Sequence, residues 1–130
     1  GEWHLVVAHV GNAIVLLCPP DGEPRLLTRP HAFGKGPLLR AVGAEETLHP
    51  DVDAVPVRPG AVVVMATDGL TDVLSTEEIA AAVRWHAGDP PQACADALLR
   101  AAYERATKDD TTVVVARVTE AESYLWSASK

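Results

Sequence analysis

What this chain has little of narrows it first. Lysine and arginine number 11 against 18 aspartates and glutamates, giving a formal charge of −7. A nucleic-acid module needs a clustered basic face to displace counterions, so no nucleic-acid partner is expected. Long apolar runs are missing too: the longest, 14–18 and 61–66, fall far short of the roughly 20 residues a membrane helix requires. No membrane partner is expected, and no secretory signal pattern is visible. Cysteine is limited to Cys18 and Cys94, with no C-x-x-C or metal-finger spacing. Both fall on apolar segments and read as buried free thiols, which fits a reducing, cytoplasmic setting. The five histidines, His4, His9, His31, His49 and His86, form neither H-x-x-x-H nor H-E-x-x-H, which argues against zinc catalysis. For His9, on a strand-like run, a packed role is favoured over one facing a site. A G-x-S-x-G or Cys/His nucleophile arrangement is also missing, so covalent hydrolysis has no support. The loop Gly34-Lys35-Gly36-Pro37 lacks the remaining spacing of a Walker A phosphate cradle.

What is present has the grain of a globular domain. At 130 residues and 48% apolar composition there is room for one domain with a modest core. Residues 3–10 and 13–18 are strand-like and meet at Gly11-Asn12, which predicts a hairpin. Pro19-Pro20-Asp21-Gly22 marks a second turn, and 24–28 supplies a third strand, so the first thirty residues read as an antiparallel meander. Residues 61–67 are apolar on both alternations, the pattern of a central strand covered on both faces. Ser75-Thr76-Glu77-Glu78 has capping-box form, and Ile79, Ala82, Val83 and His86 follow at helical spacing to about Ala87. Asp89-Pro90-Pro91-Gln92 restarts a second helix with Asp89 as its N-cap, its apolar stripe being Cys94, Ala97, Leu98, Ala101 and Ala102. Residues 111–118 are the last strand. Together these predict an α+β fold, an antiparallel sheet with both helices on one face and 61–67 beside 111–118. The tail beyond Glu120 carries Tyr124, Leu125 and Trp126, which either pack against the body or bridge to a partner.

Two carboxylates frame the chemistry. Asp68 opens Thr67-Asp68-Gly69-Leu70-Thr71-Asp72 directly after the apolar run 61–66. Asp109 sits in Lys108-Asp109-Asp110-Thr111-Thr112 directly before 113–118. A carboxylate leaving one buried strand and another entering its neighbour can meet at one sheet edge, where hard divalent cations find oxygen ligands. Basic residues able to hold phosphate reduce to Arg29, Lys35, Arg40 and Lys108, each favoured as a solvated surface charge.

The order of these motifs resembles the PPM (PP2C-type) metal-dependent protein serine/threonine phosphatases. Val7-Ala8-His9-Val10-Gly11-Asn12 is similar to that family's V-x-x-V-G-D strand ending, and Leu27-Thr28-Arg29-Pro30-His31 to its L-T-x-D-H. Leu39-Arg40-Ala41-Val42-Gly43 resembles R-A-[LV]-G, and Pro59-Gly60 the P-G-D turn. Ala66-Thr67-Asp68-Gly69-Leu70-Thr71-Asp72-Val73-Leu74 resembles the S-D-G-L-x-D-x-L metal motif, and Asp109-Asp110-Thr111-Thr112 the closing D-[ND]-x-[TS].

The resemblance implies an α-β-β-α sandwich and a dinuclear Mn²⁺ or Mg²⁺ site acting on a phosphoprotein substrate, hydrolysing phosphoserine or phosphothreonine with metal-activated water. Asp68 and Asp109 match its metal aspartates, with the Gly69 backbone beside them. Asp72 matches a further acidic position that in some members holds a weak third ion, and caps the turn before Ser75 in the alternative reading. Residues 1–119 then correspond to the C-terminal portion of the domain, with 120–130 a tail. The acidic pair with its arginine and the Asp-Gly-His-Gly turn of the family's first half are not in this sequence, so an N-terminal half is an expected partner, in cis or in trans. Asn12 stands where the family has aspartate, Pro30 replaces another aspartate, and the stretch between His31 and Arg40 is short. Asp110 instead of Asn resembles the regulator-type subgroup. These departures keep open a second function, a catalytically inactive binding or regulatory module on the same fold.

Overall fold

The computed structural model describes residues 2–29, 41–43, 46–47 and 49–120. Pro30, His31, the 34–37 loop, Leu39, Arg40 and the Tyr124, Leu125 and Trp126 tail lie outside the described residues. The elements in order are β1 (Trp3–His9), β2 (Ile14–Cys18), β3 (Arg25–Leu26), β4 (Asp51–Val57), β5 (Val62–Ala66), α1 (Asp68–Thr71), α2 (Thr76–Trp85), α3 (Pro91–Glu104) and β6 (Val113–Arg117). All strand pairs are antiparallel, and they form a two-stranded sheet, β1-β4, and a four-stranded sheet, β3-β2-β5-β6. The α+β expectation holds, as does the pairing of 61–67 with 111–118: Ala66 lies opposite Val113 and Val62 opposite Arg117.

Strand periodicity sorts the core into two clusters. Ile14, Leu16, Cys18, Val62, Val64 and Ala66 point from one face of the four-stranded sheet into Ile79, Ala80 and Val83 of α2 and Cys94, Leu98 and Ala102 of α3. Both helices therefore lie on one face. Alternate residues Leu17 and Val63 point the other way and pack with Ala61 and Val55, flanked by Leu5 and Val57 of the two-stranded sheet. Fully burying a side chain the size of Leu16 or Ile79 contributes about 1.5–3 kcal/mol, so the helix-side cluster dominates. Both thiols, Cys18 and Cys94, are buried and free, and burial pushes each above its ordinary value.

Two expectations need correction, and one strand, β4, was not among the expected elements. The predicted hairpin at Gly11-Asn12 does not form: β1 pairs with β4 over seven register positions, while β2 joins the other sheet. The reason is burial, because a β1-β2 hairpin would leave the second face of the four-stranded sheet bare. Gly11 at φ +105° makes the crossover, a backbone region open to glycine. Strand β4 escapes a sequence reading because aspartate and Pro56 are poor strand formers; on a two-stranded sheet with open edges they are tolerated. Finally, α3 begins after Pro90, not Asp89, whose carboxylate bonds His86 Nδ1 at 2.9 Å. The α2 capping box at Ser75 and Glu78 is present as expected.

Candidate metal centre

Antiparallel pairing of β5 and β6 decides where the acids go. The C-terminal end of β5 abuts the N-terminal end of β6, so the segments carrying Asp68 and Asp109 leave the ladder side by side. Hydroxyls fasten them. The Thr67 amide donates to the Thr112 carbonyl at 3.1 Å, and the Thr112 amide donates to Thr67 Oγ1 at 2.9 Å. Thr67 Oγ1 also donates to the Asp110 carbonyl at 3.4 Å. From the turn that follows α3, Thr107 Oγ1 donates to the Gly69 carbonyl at 2.7 Å.

At Gly69 the two segments lie close together. A Cβ placed there would collide with Thr111 Oγ1 and lie 2.5 Å from the Asp110 carbonyl oxygen. Only a residue without a side chain allows this approach, which gives the glycine of the Asp68-Gly69 pair a steric explanation.

The result is a cluster of three carboxylates. Asp68, half-buried, and the exposed Asp72 and Asp109 each offer an oxygen, all within 4.8 Å of one another. Asp68 opens α1 and Asp72 caps its C-terminal end, its amide donating to the Asp68 carbonyl at 2.8 Å. Asp72 is thus both the C-cap residue of α1 and a member of the carboxylate cluster. Asp109 Oδ1 accepts from the Asp110 amide at 2.8 Å, and Asp68 Oδ2 accepts from Asn12 Nδ2 at 2.8 Å. Burial, then the adjacent Asp109 carboxylate, push the Asp68 carboxyl above its ordinary value; Asn12 pulls it back and Asp72 adds a smaller upward push. Crowding of like charge of this kind is what a hard divalent cation relieves, and an all-oxygen donor set suits Mg²⁺ or Mn²⁺. The residues present fit such an ion.

The remaining candidates lie elsewhere or carry less. His9 is buried on β1, as its packed reading expects, and Arg29 and Lys108 are exposed. Lys35 and Arg40 lie outside the described residues. Sequence reading missed the threonine fastening and the bond made by Asn12. The density of threonine around both acids, at 67, 71, 107, 111 and 112, was the available signal.

Comparison with known proteins agrees with this geometry. The profile of the family described as Stage II sporulation protein E (SpoIIE) matches residues 1–119. The chain belongs to that family, and its fold is that of the PPM-type serine/threonine phosphatases. The solved catalytic domain of the serine/threonine protein phosphatase PstP in complex with two manganese ions is 27% identical, with a TM-score of 0.74; the match covers 92% of this chain and 55% of that one. The Mycobacterium tuberculosis phosphatase PstP/Ppp is 25% identical with a TM-score of 0.77, covering 89% and 55%. PppA of Pseudomonas aeruginosa, described as a key regulatory component of T6SS, shares the fold at TM-score 0.80 and 21% identity, covering 88% and 52%. The chain spans about half the length of these structures. No curated protein matches it in sequence. No helix among the described residues is long and apolar enough to cross a membrane.

Proposed function

We propose that this chain contributes part of the active site of a metal-dependent protein serine/threonine phosphatase, which hydrolyses phosphoserine or phosphothreonine in a protein substrate. The observation that carries the reading is the convergence of Asp68, Asp72 and Asp109 on one point at the end of the β5-β6 ladder. Asp68 and Asp109 would be the principal ligands of Mn²⁺ or Mg²⁺, with Asp72 at the rim and the Gly69 backbone between them. Bound ions of this kind lower the pKa of a water and stabilise the oxygens of an in-line displacement. The chain's own part is positional: the Thr67, Thr107 and Thr112 bonds hold the acid-bearing segments together, and Gly69 sets their spacing.

Three carboxylates alone do not surround two cations, which take six oxygen ligands each. The remaining ligands and a phosphate-holding arginine come, in this reading, from an N-terminal half of the domain in cis or in trans. Residues 1–119 are the C-terminal portion of that domain and 120–130 its tail. The two buried free thiols are consistent with a cytoplasmic setting.

Mn²⁺-dependent hydrolysis of a phosphoserine peptide by the full-length gene product tests this. Positioning supplies a large share of such rates, so Asp109→Ala should lower kcat/KM by about 10²-fold or more, and residues 1–130 alone should be nearly inactive. Hydrolysis indifferent to Asp109→Ala would refute the site. Inactivity of the full-length product with metal present would favour a binding or regulatory module, the reading that Asn12 in place of an aspartate supports.

A further inference from the structure

Asn12 stands at the crossover between the two sheets, half-buried, directly after Gly11 at φ +105°. Its side chain reaches across 56 positions of sequence to the Asp68 carboxylate, Nδ2 donating to Oδ2 at 2.8 Å. The resemblance marks Asn12 only as a departure from the family's aspartate; the structure gives its side chain a partner, Asp68.

We infer that Asn12 is a positioning residue for Asp68: its amide fixes the plane of that carboxylate, committing Oδ2 to a protein donor and presenting the group to a cation through Oδ1. The inference rests on the metal-site reading above and goes beyond it in assigning the crossover a part in metal binding. An amide is suited to the task because it donates without adding charge. An aspartate at position 12 would place a fourth carboxylate beside Asp68, Asp72 and Asp109 and could donate nothing when ionised. Partners that orient a ligating carboxylate typically change metal affinity about 10–100-fold when removed. Asn12 also links the site to the two-stranded sheet, since β1 ends three residues before it.

The test uses the 130-residue chain, with Mn²⁺ binding followed by loss of the free-ion EPR signal and metal-free stability followed by thermal melting. Asn12→Ala should raise the Mn²⁺ Kd about 10-fold or more while moving the metal-free Tm little. Asn12→Asp should lower the metal-free Tm and show a larger rise of Tm on adding Mn²⁺ than the wild type, because the ion then offsets a new like-charge contact. An Asn12→Ala Kd equal to that of wild type overturns the inference, as does a fall in metal-free Tm with no change in Kd, which would make the bond structural only. Asp109→Asn separates this failure from that of the underlying reading: if it too binds Mn²⁺ like wild type, the metal site itself is misplaced and the inference falls with it.

Discussion

On the helix side of the four-stranded sheet Leu16 and Val64 are 1% and 0% exposed, sealed under α2 and α3. On the opposite side of the same strands Val63 is covered by the two-stranded sheet, but Met65 and Val114, register partners, stand 40% and 46% exposed. Two strands cannot roof four. The apolar alternation of β5 therefore describes a strand built for cover on both faces, of which the described residues supply one face in full and half of the other. The carboxylate cluster lies at the end of the β5-β6 ladder, where antiparallel backbone pairing brings its two segments together.

The largest expected effect breaks that comparison directly. Leu16→Ala removes a fully buried side chain from the helix-side cluster and should lower unfolding free energy by about 2–5 kcal/mol. Met65→Ala, on the neighbouring strand but facing the open side, should lower it by under about 1 kcal/mol. Urea unfolding of both variants measures the contrast. Equal losses would mean that the open face is covered in solution.

Gly69→Ala comes next and moves the question from the faces to the ladder end. Its new methyl would meet the Asp110 backbone and Thr111, so the segments must separate, at a loss of about 1–3 kcal/mol. Because Asp68 and Asp109 part with them, Mn²⁺ affinity should fall along with stability. Wild-type Mn²⁺ binding by Gly69→Ala, read by calorimetry, would detach the site from the close approach of the two loops.

How much of this was legible in the sequence follows from range. The capping box at Ser75 and the two helices were readable because their signals repeat within a turn or two. The β5-β6 pairing and the meeting of Asp68 with Asp109 were readable because each acid abuts an apolar run, which ties chemistry to strand ends. The β1 partner was not. Gly11-Asn12 has hairpin chemistry, and nothing local says that Leu5 and Val7 are wanted on the far side of the sandwich. Strand β4 was hidden by Asp51, Asp53 and Pro56, residues chosen for an open two-stranded sheet rather than for strand propensity. The Asn12 bond to Asp68 depends on that same crossover, so it became visible only when the sheets were separated.

The smallest predicted effect concerns what holds the helix layer together at its rim. Glu78 closes the α2 capping box and also pairs with Arg105 just past the end of α3, whose guanidinium donates to the Val73 carbonyl at 2.9 Å. One exposed ion pair thus joins the start of α2, the end of α3 and the turn after α1. The bond from Arg105, then the Ser75 backbone, hold the Glu78 carboxyl below its ordinary value of 4.5. A carboxylate whose pKa is lower folded than unfolded stabilises the fold at pH above the unfolded value, and that stabilisation is lost as pH falls through the folded one. Wild type should therefore melt slightly above Glu78→Gln at pH 7, since glutamine keeps the capping acceptor but not the charge. The difference should shrink from about pH 5 downward and vanish once Glu78 is protonated in both states. High salt should narrow it at every pH, as expected of a solvated pair. Parallel melting curves that keep a constant gap from pH 7 to pH 3 would assign the difference to the cap, and would leave the helix layer resting on its apolar face alone.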